Sequence, residues 1–294
     1  MRKKSEEVLV IGESRMDYLS RIDNPTEGEE NKGNLFITNG GLGRNVAENL
    51  ARLNDKVSFI TAIGDDHIGL SLKQNLESLN VKVYTIRTKY PTAVYNSISG
   101  KDGKKITYIL DTRGNDSLKP IDIKPMDSLI RSAEHIVLDG SMNEKIINYI
   151  FRTYKGKKFY VDGVSIYRIK AFLTHLKEIE LFKSNVDEAE HLLGKMDPEK
   201  LVDELLKKGC KQVVLSHSEL PILYGNSKGI FYEPINVRQK VTRPNGVGDA
   251  LFAGIVHGLV SGMQLKQSVK FGLNMSYETL DVDTAVSPTI KDLL

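Results

Sequence analysis

From residue 126 onward the chain repeats one pattern, a short apolar run followed by a helix-like stretch, and this repetition restricts the fold more than any single motif does. Residues 136–139, 159–162, 181–183 and 213–216 read as strands. Residues 144–154, 186–193 and 197–208 read as helices, with Gly194 as a stop and Pro198 at a first helical position. Two more strands flank Gly225-Asn226-Ser227, and a last helix covers 266–280. The amino-terminal half adds the apolar strand Val8-Leu9-Val10-Ile11, closed by Gly12, and another strand over 57–62. An amphipathic helix carrying Leu70, Leu72, Leu76 and Leu79 follows. Strands joined by helical crossovers run parallel, and parallel strands are buried on both faces. The predicted fold is therefore α/β, with a mostly parallel central sheet and helices on both faces.

Residues 92–110 break that pattern. Val94, Ile98, Ile106 and Ile109 lie in two β-like runs joined by Gly100-Lys101-Asp102-Gly103, a hairpin signal. A hairpin inserted among β-α units predicts a small flap outside the main sheet, paired with short strands from residues 18–37.

Two glycine-bearing turns carry the candidate chemistry. Gly246-Val247-Gly248-Asp249 runs into a helical pattern in which Leu251, Ile255 and Leu259 recur on one face. Glycines let backbone N–H groups approach an anion, and the first N–H groups of a helix lack intrahelical partners. A carboxylate at such a site grips phosphate poorly but can take a proton from an attacking hydroxyl. The same residues also suit a plain strand-to-helix turn with Asp249 as a cap. Earlier, Gly40-Gly41-Leu42-Gly43-Arg44-Asn45 opens into a helix whose face carries Ala47, Leu50, Ala51 and Leu53. Asn45 is either a surface amide or, in a glycine-lined pocket, a donor and acceptor to sugar hydroxyls. Asp17, in Glu13-Ser14-Arg15-Met16-Asp17, lies just past the first strand, where open α/β sheets place ligands. Without further context its default reading is an ordinary loop carboxylate.

Charge and cysteine usage narrow the partners. A net charge of +3 with both signs interspersed gives no polyanion-binding signature, so no nucleic-acid partner is expected. The single cysteine, Cys210, permits no intrachain disulfide and reads as a buried small residue. Arg2-Lys3-Lys4 could open a signal peptide, but Glu6-Glu7 follow and the next apolar run is too short. No run approaches the roughly 18 apolar residues of a membrane span. The expectation is a cytoplasmic protein with a small-molecule partner and no membrane.

Taken in order, these segments resemble the ribokinase-like family of carbohydrate and nucleoside kinases, also known by the name of the minor phosphofructokinase. The resemblance covers essentially the whole chain and is most specific at residues 40–47 and 246–249. It implies a single kinase domain over residues 1–294, with a β lid from about 18–37 and 92–110. It also implies ATP as phosphoryl donor and Mg²⁺ as its ion. By position, Asp249 matches the catalytic base, and Gly246, Val247 and Gly248 match the anion hole that also meets the nucleotide. Asp17 and Asn45 match residues holding sugar hydroxyls, with Gly41 lining that pocket. Asn185 and Glu188 match the family's N-x-x-E element, linked to the metal ion and its waters. Ser216 ends the strand that leads to the nucleotide. Lids in this family often form dimer contacts, so a homodimer is implied.

Within the family, Arg44-Asn45 followed by Ala47-Glu48-Asn49 is similar to the members that phosphorylate pseudouridine, as are Asp162-Gly163-Val164-Ser165 and Val286-Ser287-Pro288. That resemblance implies transfer to the 5′-hydroxyl of a nucleoside; Arg44, Glu13 and Arg15 are candidate selectors of the acceptor, since their longer side chains could meet a base. Departures stand beside it. The family's Asn two residues before its Asp is missing ahead of Asp17. Arg243-Pro244-Asn245 replaces an acidic lead into the turn, which opposes a monovalent-cation site because like charges repel. A kinase of a free sugar such as ribose or fructose, a kinase of another nucleoside, and a ligand-binding homologue without catalysis are the other readings.

Overall fold

Along the chain, β1 (Glu7–Ile11) is followed by β2 (Arg15–Ile22), β3 (Gly33–Gly40), α1 (Leu42–Arg52), β4 (Lys56–Ile63), α2 (His67–Glu77) and β5 (Lys82–Arg87). Then come β6 (Ala93–Ser99), β7 (Lys105–Asp111) and the short helices α3 (Arg113–Ser117), α4 (Pro120–Ile123) and α5 (Asp127–Ser132). The second half contains β8 (His135–Asp139), α6 (Glu144–Thr153), β9 (Lys158–Asp162), β10 (Ile179–Asn185), α7 (Val186–Leu193) and α8 (Pro198–Lys207). It closes with β11 (Gln212–His217), β12 (Leu220–Asn226), β13 (Gly229–Glu233), α9 (Val247–Val260) and α10 (Leu265–Leu280). This computed structural model describes residues 7–23, 26, 28–101, 105–218, 220–236 and 245–294. Arg2-Lys3-Lys4, the Asp102-Gly103 part of the hairpin signal and Arg243-Pro244 lie outside the described residues.

Among the described residues, nine strands form the main sheet in the order β13-β12-β11-β10-β9-β8-β1-β4-β5. Pairing is parallel from β11 through β5, and only β12 and β13 join antiparallel. Its middle is apolar on both faces. Side chains alternate across a strand, so Leu9 and Ile11 of β1 enter the core beneath α6, α7 and α8. Val8 and Val10 enter the opposite core, against α1, α9 and α10. Each fully buried aliphatic side chain contributes about 1.5–3 kcal/mol relative to exposure, and the paired cores explain why the apolar strand runs were legible. β5 adds an edge strand to the expected set. With β4 as its only neighbour it buries just Ile86, so it shows no apolar run.

A second sheet of four strands takes the order β3-β2-β6-β7, with β2 parallel to β6 and antiparallel to β3. The short strands expected over 18–37 are two eight-residue strands, Arg15–Ile22 and Gly33–Gly40, that extend past both bounds. These strands are held by backbone ladders instead of core burial, which is why their sequence reads as polar. The sheet is rooted beside the end of β1, because Arg15 of β2 pairs with both Gly40 and Ala93. Residues directly opposite in the ladders share a face. Ile37, Tyr18, Asn96 and Ile109 are aligned across it, so their face is the reverse of the one carrying Asp17 and Tyr95. Leu35, Ile37 and Ile109 on that reverse face are exposed.

Candidate active site

The carboxyl ends of β1, β8, β9 and β10 and the starts of α1, α7 and α9 converge on one polar cluster. Asp139, at the end of β8, ties the cluster together. Its Oδ2 accepts from the backbone N–H of Glu13 and of Gly43, each at 2.9 Å, and its Oδ1 accepts from Ser141 N–H at 2.7 Å. Gly41 caps α1 with φ of 94°, and a Cβ there would stand 2.6 Å from the carbonyl oxygen of Glu13. Only glycine fits that left-handed position against a backbone oxygen. The chain from β3 into α1 is thereby pressed onto the end of β1.

The second turn is tighter. Gly246 caps α9 with φ of 83°, and a Cβ there would stand 1.9 Å from the carbonyl oxygen of Ala285. The helix begins at Val247, so Val247, Gly248 and Asp249 form its first turn rather than a loop ahead of it. Their N–H groups are the unpaired ones of the helix start, where the helix dipole favours an anion. Asp249 sits in this turn half-buried, and Asn45 Nδ2 donates to its Oδ2 at 2.7 Å. Burial raises the Asp249 carboxyl above its ordinary value, while the Asn45 hydrogen bond and the charges of Lys183 and Arg15 pull it down. A carboxylate at this position is placed to accept a proton from a hydroxyl brought to the helix start.

Asp17 and Asn45 lie on the same side of the cluster. Gly40 is packed so closely on the Asp17 carboxyl that a Cβ there would sit 2.5 Å away. Arg15 clamps Asp17 Oδ1 at 2.7 Å and Glu13 Oε1 at 2.9 Å, and its guanidinium lies 5.3 Å from the Tyr95 ring centroid. Glu13 also accepts from Asn115 Nδ2 at 2.9 Å, and burial is the main influence raising its carboxyl. Arg44, expected beside a substrate, is buried among polar side chains. Only 3% exposed, it donates to Glu48, to Asn75 Oδ1 at 2.7 Å and to Asn45 Oδ1 at 3.0 Å.

On the other side, Asn185 and Glu188 form a reciprocal cap of α7. Glu188 N–H donates to Asn185 Oδ1 at 2.7 Å, and Asn185 N–H donates to Glu188 Oε2 at 2.9 Å. Ser216 stands beside Asn185 on the neighbouring strand.

Two residues to which the motifs gave no role, Lys183 and Asp162, complete the cluster. Lys183 of β10 is buried and donates to Asp162 Oδ2 of β9 at 2.7 Å. Its ammonium lies 3.3 Å from where a Cβ would stand at Gly248. Burial pushes Asp162 up to about 7 against the pull of Lys183, with Glu188 and Asp249 adding to the rise. Burial opposes the charge on Lys183, but Asp162, Glu188 and Asp249 hold it protonated. The available signal was a lysine following Leu181-Phe182 inside a strand buried on both faces, where an unpaired cation is not tolerated. A separate cavity of about 570 Å³ opens at the opposite end of the sheet, by the strand-starting residues His135, Lys158 and Gln212, and holds none of these groups.

The cluster brings together a carboxylate, the N–H groups of a helix start and a buried cation, the parts that phosphoryl transfer to a hydroxyl requires. Residues 5–289 match the family described as pfkB family carbohydrate kinase. Pseudouridine kinase of Escherichia coli K12 is 27% identical over 299 residues, covering 99% of this chain and 95% of that protein. Ribokinase from Thermotoga maritima superposes with a TM-score of 0.86 at 19% identity, covering 98% of each chain. Arabidopsis thaliana ribokinase complexed with ribose and ATP superposes with a TM-score of 0.83 at 19% identity, covering 99% of each.

Proposed function

The chain belongs to the pfkB family of carbohydrate kinases, and from that membership we propose that it transfers the γ-phosphoryl group of ATP to the 5′-hydroxyl of a nucleoside, with pseudouridine as acceptor. The observation that carries the chemistry is the meeting of Asp249, the N–H groups at the start of α9 and Lys183. In this reading Asp249 takes the hydroxyl proton, and the N–H groups of Val247, Gly248 and Asp249 face the transferring group. Gly246 shapes that turn, and Lys183 balances the charge that develops. Asp17, Gly41 and Asn45 hold the ribose. Ser216 and Asn185 lie along the path of the nucleotide, and Arg15 with Tyr95 borders the acceptor on the side where a base would project. The acceptor reading rests on the pseudouridine kinase relative and on the Arg-Asn and Ala-Glu-Asn residues of α1.

Mg²⁺ suits this site as an ion carried in with the triphosphate. Capping uses one Glu188 oxygen, and the buried Asp162 Oδ1 has no hydrogen-bond partner. Among the described residues no group of three metal-ligating side chains forms a protein cage. An ion that keeps waters and phosphate oxygens needs only one or two carboxylates. Glu188, with Asn185 through water, would hold it, and when bound it would screen the phosphate charge. The four-stranded sheet acts as the lid of one kinase domain, and its exposed reverse face pairs two copies into a homodimer. No helix among the described residues is long and apolar enough to cross a membrane, which suits a cytoplasmic enzyme.

ADP release from Mg-ATP, compared across pseudouridine, uridine, adenosine, ribose and fructose, tests the proposal. Preference for pseudouridine supports it. Preference for ribose or fructose replaces the acceptor and keeps the chemistry. No release with any acceptor, in protein that still binds nucleoside, would return it to a binding homologue.

A further inference from the structure

We propose that Arg44 is a positioning residue for Asp249, acting through the side-chain amide of Asn45. This rests on the reading of Asp249 as the proton acceptor. A guanidinium has five N–H donors and no acceptor, so whatever it meets must present an oxygen. Arg44 Nη1 donates to Asn45 Oδ1 at 3.0 Å. The amide of Asn45 is therefore locked with its oxygen toward Arg44 and its NH₂ toward Asp249, to which it donates at 2.7 Å. The reversed amide would set N–H against N–H on one side and oxygen against carboxylate on the other.

Arg44 is itself held at two further points. Its Nη2 donates to Glu48 and to Asn75 Oδ1 at 2.7 Å, and Glu48 is anchored in turn by Arg52 at 2.8 and 2.7 Å. Asn49 Nδ2 donates to the Asn45 carbonyl at 2.9 Å and steadies the backbone below. A directed chain of donors thus runs from α1 and α2 into the first turn of α9. It commits Asp249 Oδ2 to Asn45 and leaves Oδ1 for the acceptor hydroxyl. Burial of Arg44 among partners that all accept explains why it stands beside the sugar-binding position without reaching into the cleft. Among the described residues, the other charges acting on Asp249 are those of Lys183 of β10, Arg15 of β2 and the carboxylates of Asp139 and Asp162, and none of these four makes a hydrogen bond to the Asn45 amide.

Titration of the Asp249 carboxyl by carbon-13 NMR in the unliganded protein tests this, with the resonance assigned by its loss in Asp249→Asn. Arg44→Met combined with Glu48→Gln removes the donor without stranding a buried carboxylate. In that variant the Asp249 pKa should rise by on the order of one unit, because Asn45 is free to turn its oxygen inward. Arg44→Lys, which keeps a donor-only group, should stay near wild type. Asn45→Ala leaves the Arg44–Glu48 pair intact and should raise Asp249 alike, and in the Asn45→Ala background the Arg44 change should add nothing. An Asp249 that titrates at the wild-type pH in folded Arg44→Met/Glu48→Gln overturns the proposal. So does an unshifted Asp249 in Asn45→Ala, should the Arg44 variant not fold. Turnover of the wild type is scored separately: absence of ADP release with every acceptor sinks the kinase reading and leaves the NMR result to decide the relay.

Discussion

The ammonium of Lys183 lies 3.3 Å from where any side chain at Gly248 would begin. A buried cation on one strand is thus set against the first turn of a helix reached only after three more strands. The Lys183 ion pair with Asp162 holds that ammonium in place at 2.7 Å. Lys183→Met should fold and lower kcat by roughly 10²–10³, the usual loss when one donor to developing charge is removed. Steady-state kinetics with Mg-ATP read this, and turnover within a factor of a few of wild type would take Lys183 out of the chemistry.

Gly248→Ala separates the site from the fold. Its methyl would meet only the Lys183 ammonium, at 3.3 Å, which must give by a few tenths of an ångström within its pair with Asp162, and alanine in a helix is favoured over glycine by about 1 kcal/mol. The variant should melt at or above the wild-type temperature while losing activity. Gly246→Ala should do the opposite and lose stability first, because its Cβ would stand 1.9 Å from a backbone oxygen at φ of 83°. Thermal melts of the two proteins, run side by side, distinguish them.

Asp249→Asn should lower kcat by roughly 10²–10⁴, the span associated with a positioned general base. The amide keeps the size of the side chain, so the melting temperature should change little. Near-normal turnover in the variant would assign proton removal elsewhere.

Stability should carry the signature of Asp162. In the folded chain its carboxyl titrates at about 7, whereas an unfolded aspartate titrates at about 3.9. Between those values the folded state holds a proton that the unfolded state has released, so stability falls as pH rises through the window and is greatest at its acid end. Asp162→Asn removes this contribution. Its melting temperature should decline less than that of wild type from about pH 4 to 7, and parallel declines would contradict the placement of the charge.

The reverse face of the four-stranded sheet, with Ile37 59% and Ile109 68% exposed, should pair two copies of the chain. Sedimentation of the wild type should show a dimer, and Ile37→Lys with Ile109→Lys should yield a folded monomer. A wild-type monomer at all concentrations would leave the patch without this role.

Much of the architecture was written in local pattern. Val8-Leu9-Val10-Ile11 is apolar at every position because both sheet faces are covered, and Gly194 and Pro198 mark helix ends by backbone geometry that a single residue dictates. The glycines of the two turns were equally plain, since a left-handed φ or a close backbone contact leaves glycine as the choice. Ladder-held strands such as β2 and β3 were less legible, because hydrogen bonding between backbones places no demand on side-chain type.

By itself, then, the sequence determined the sheet class, the two glycine-bearing turns that open helices and the presence of a carboxylate in one of them. Tertiary structure alone decided the company those groups keep. Lys183 meets Asp162 and Gly248 because β9 and β10 are adjacent and α9 begins over them. Arg44 is turned inward because α2 supplies Asn75 as an acceptor. A periodic pattern records which way a side chain faces within its own element, but hydrogen bonds and ion pairs depend on distances between elements far apart in the chain, and those are set only when the cores close.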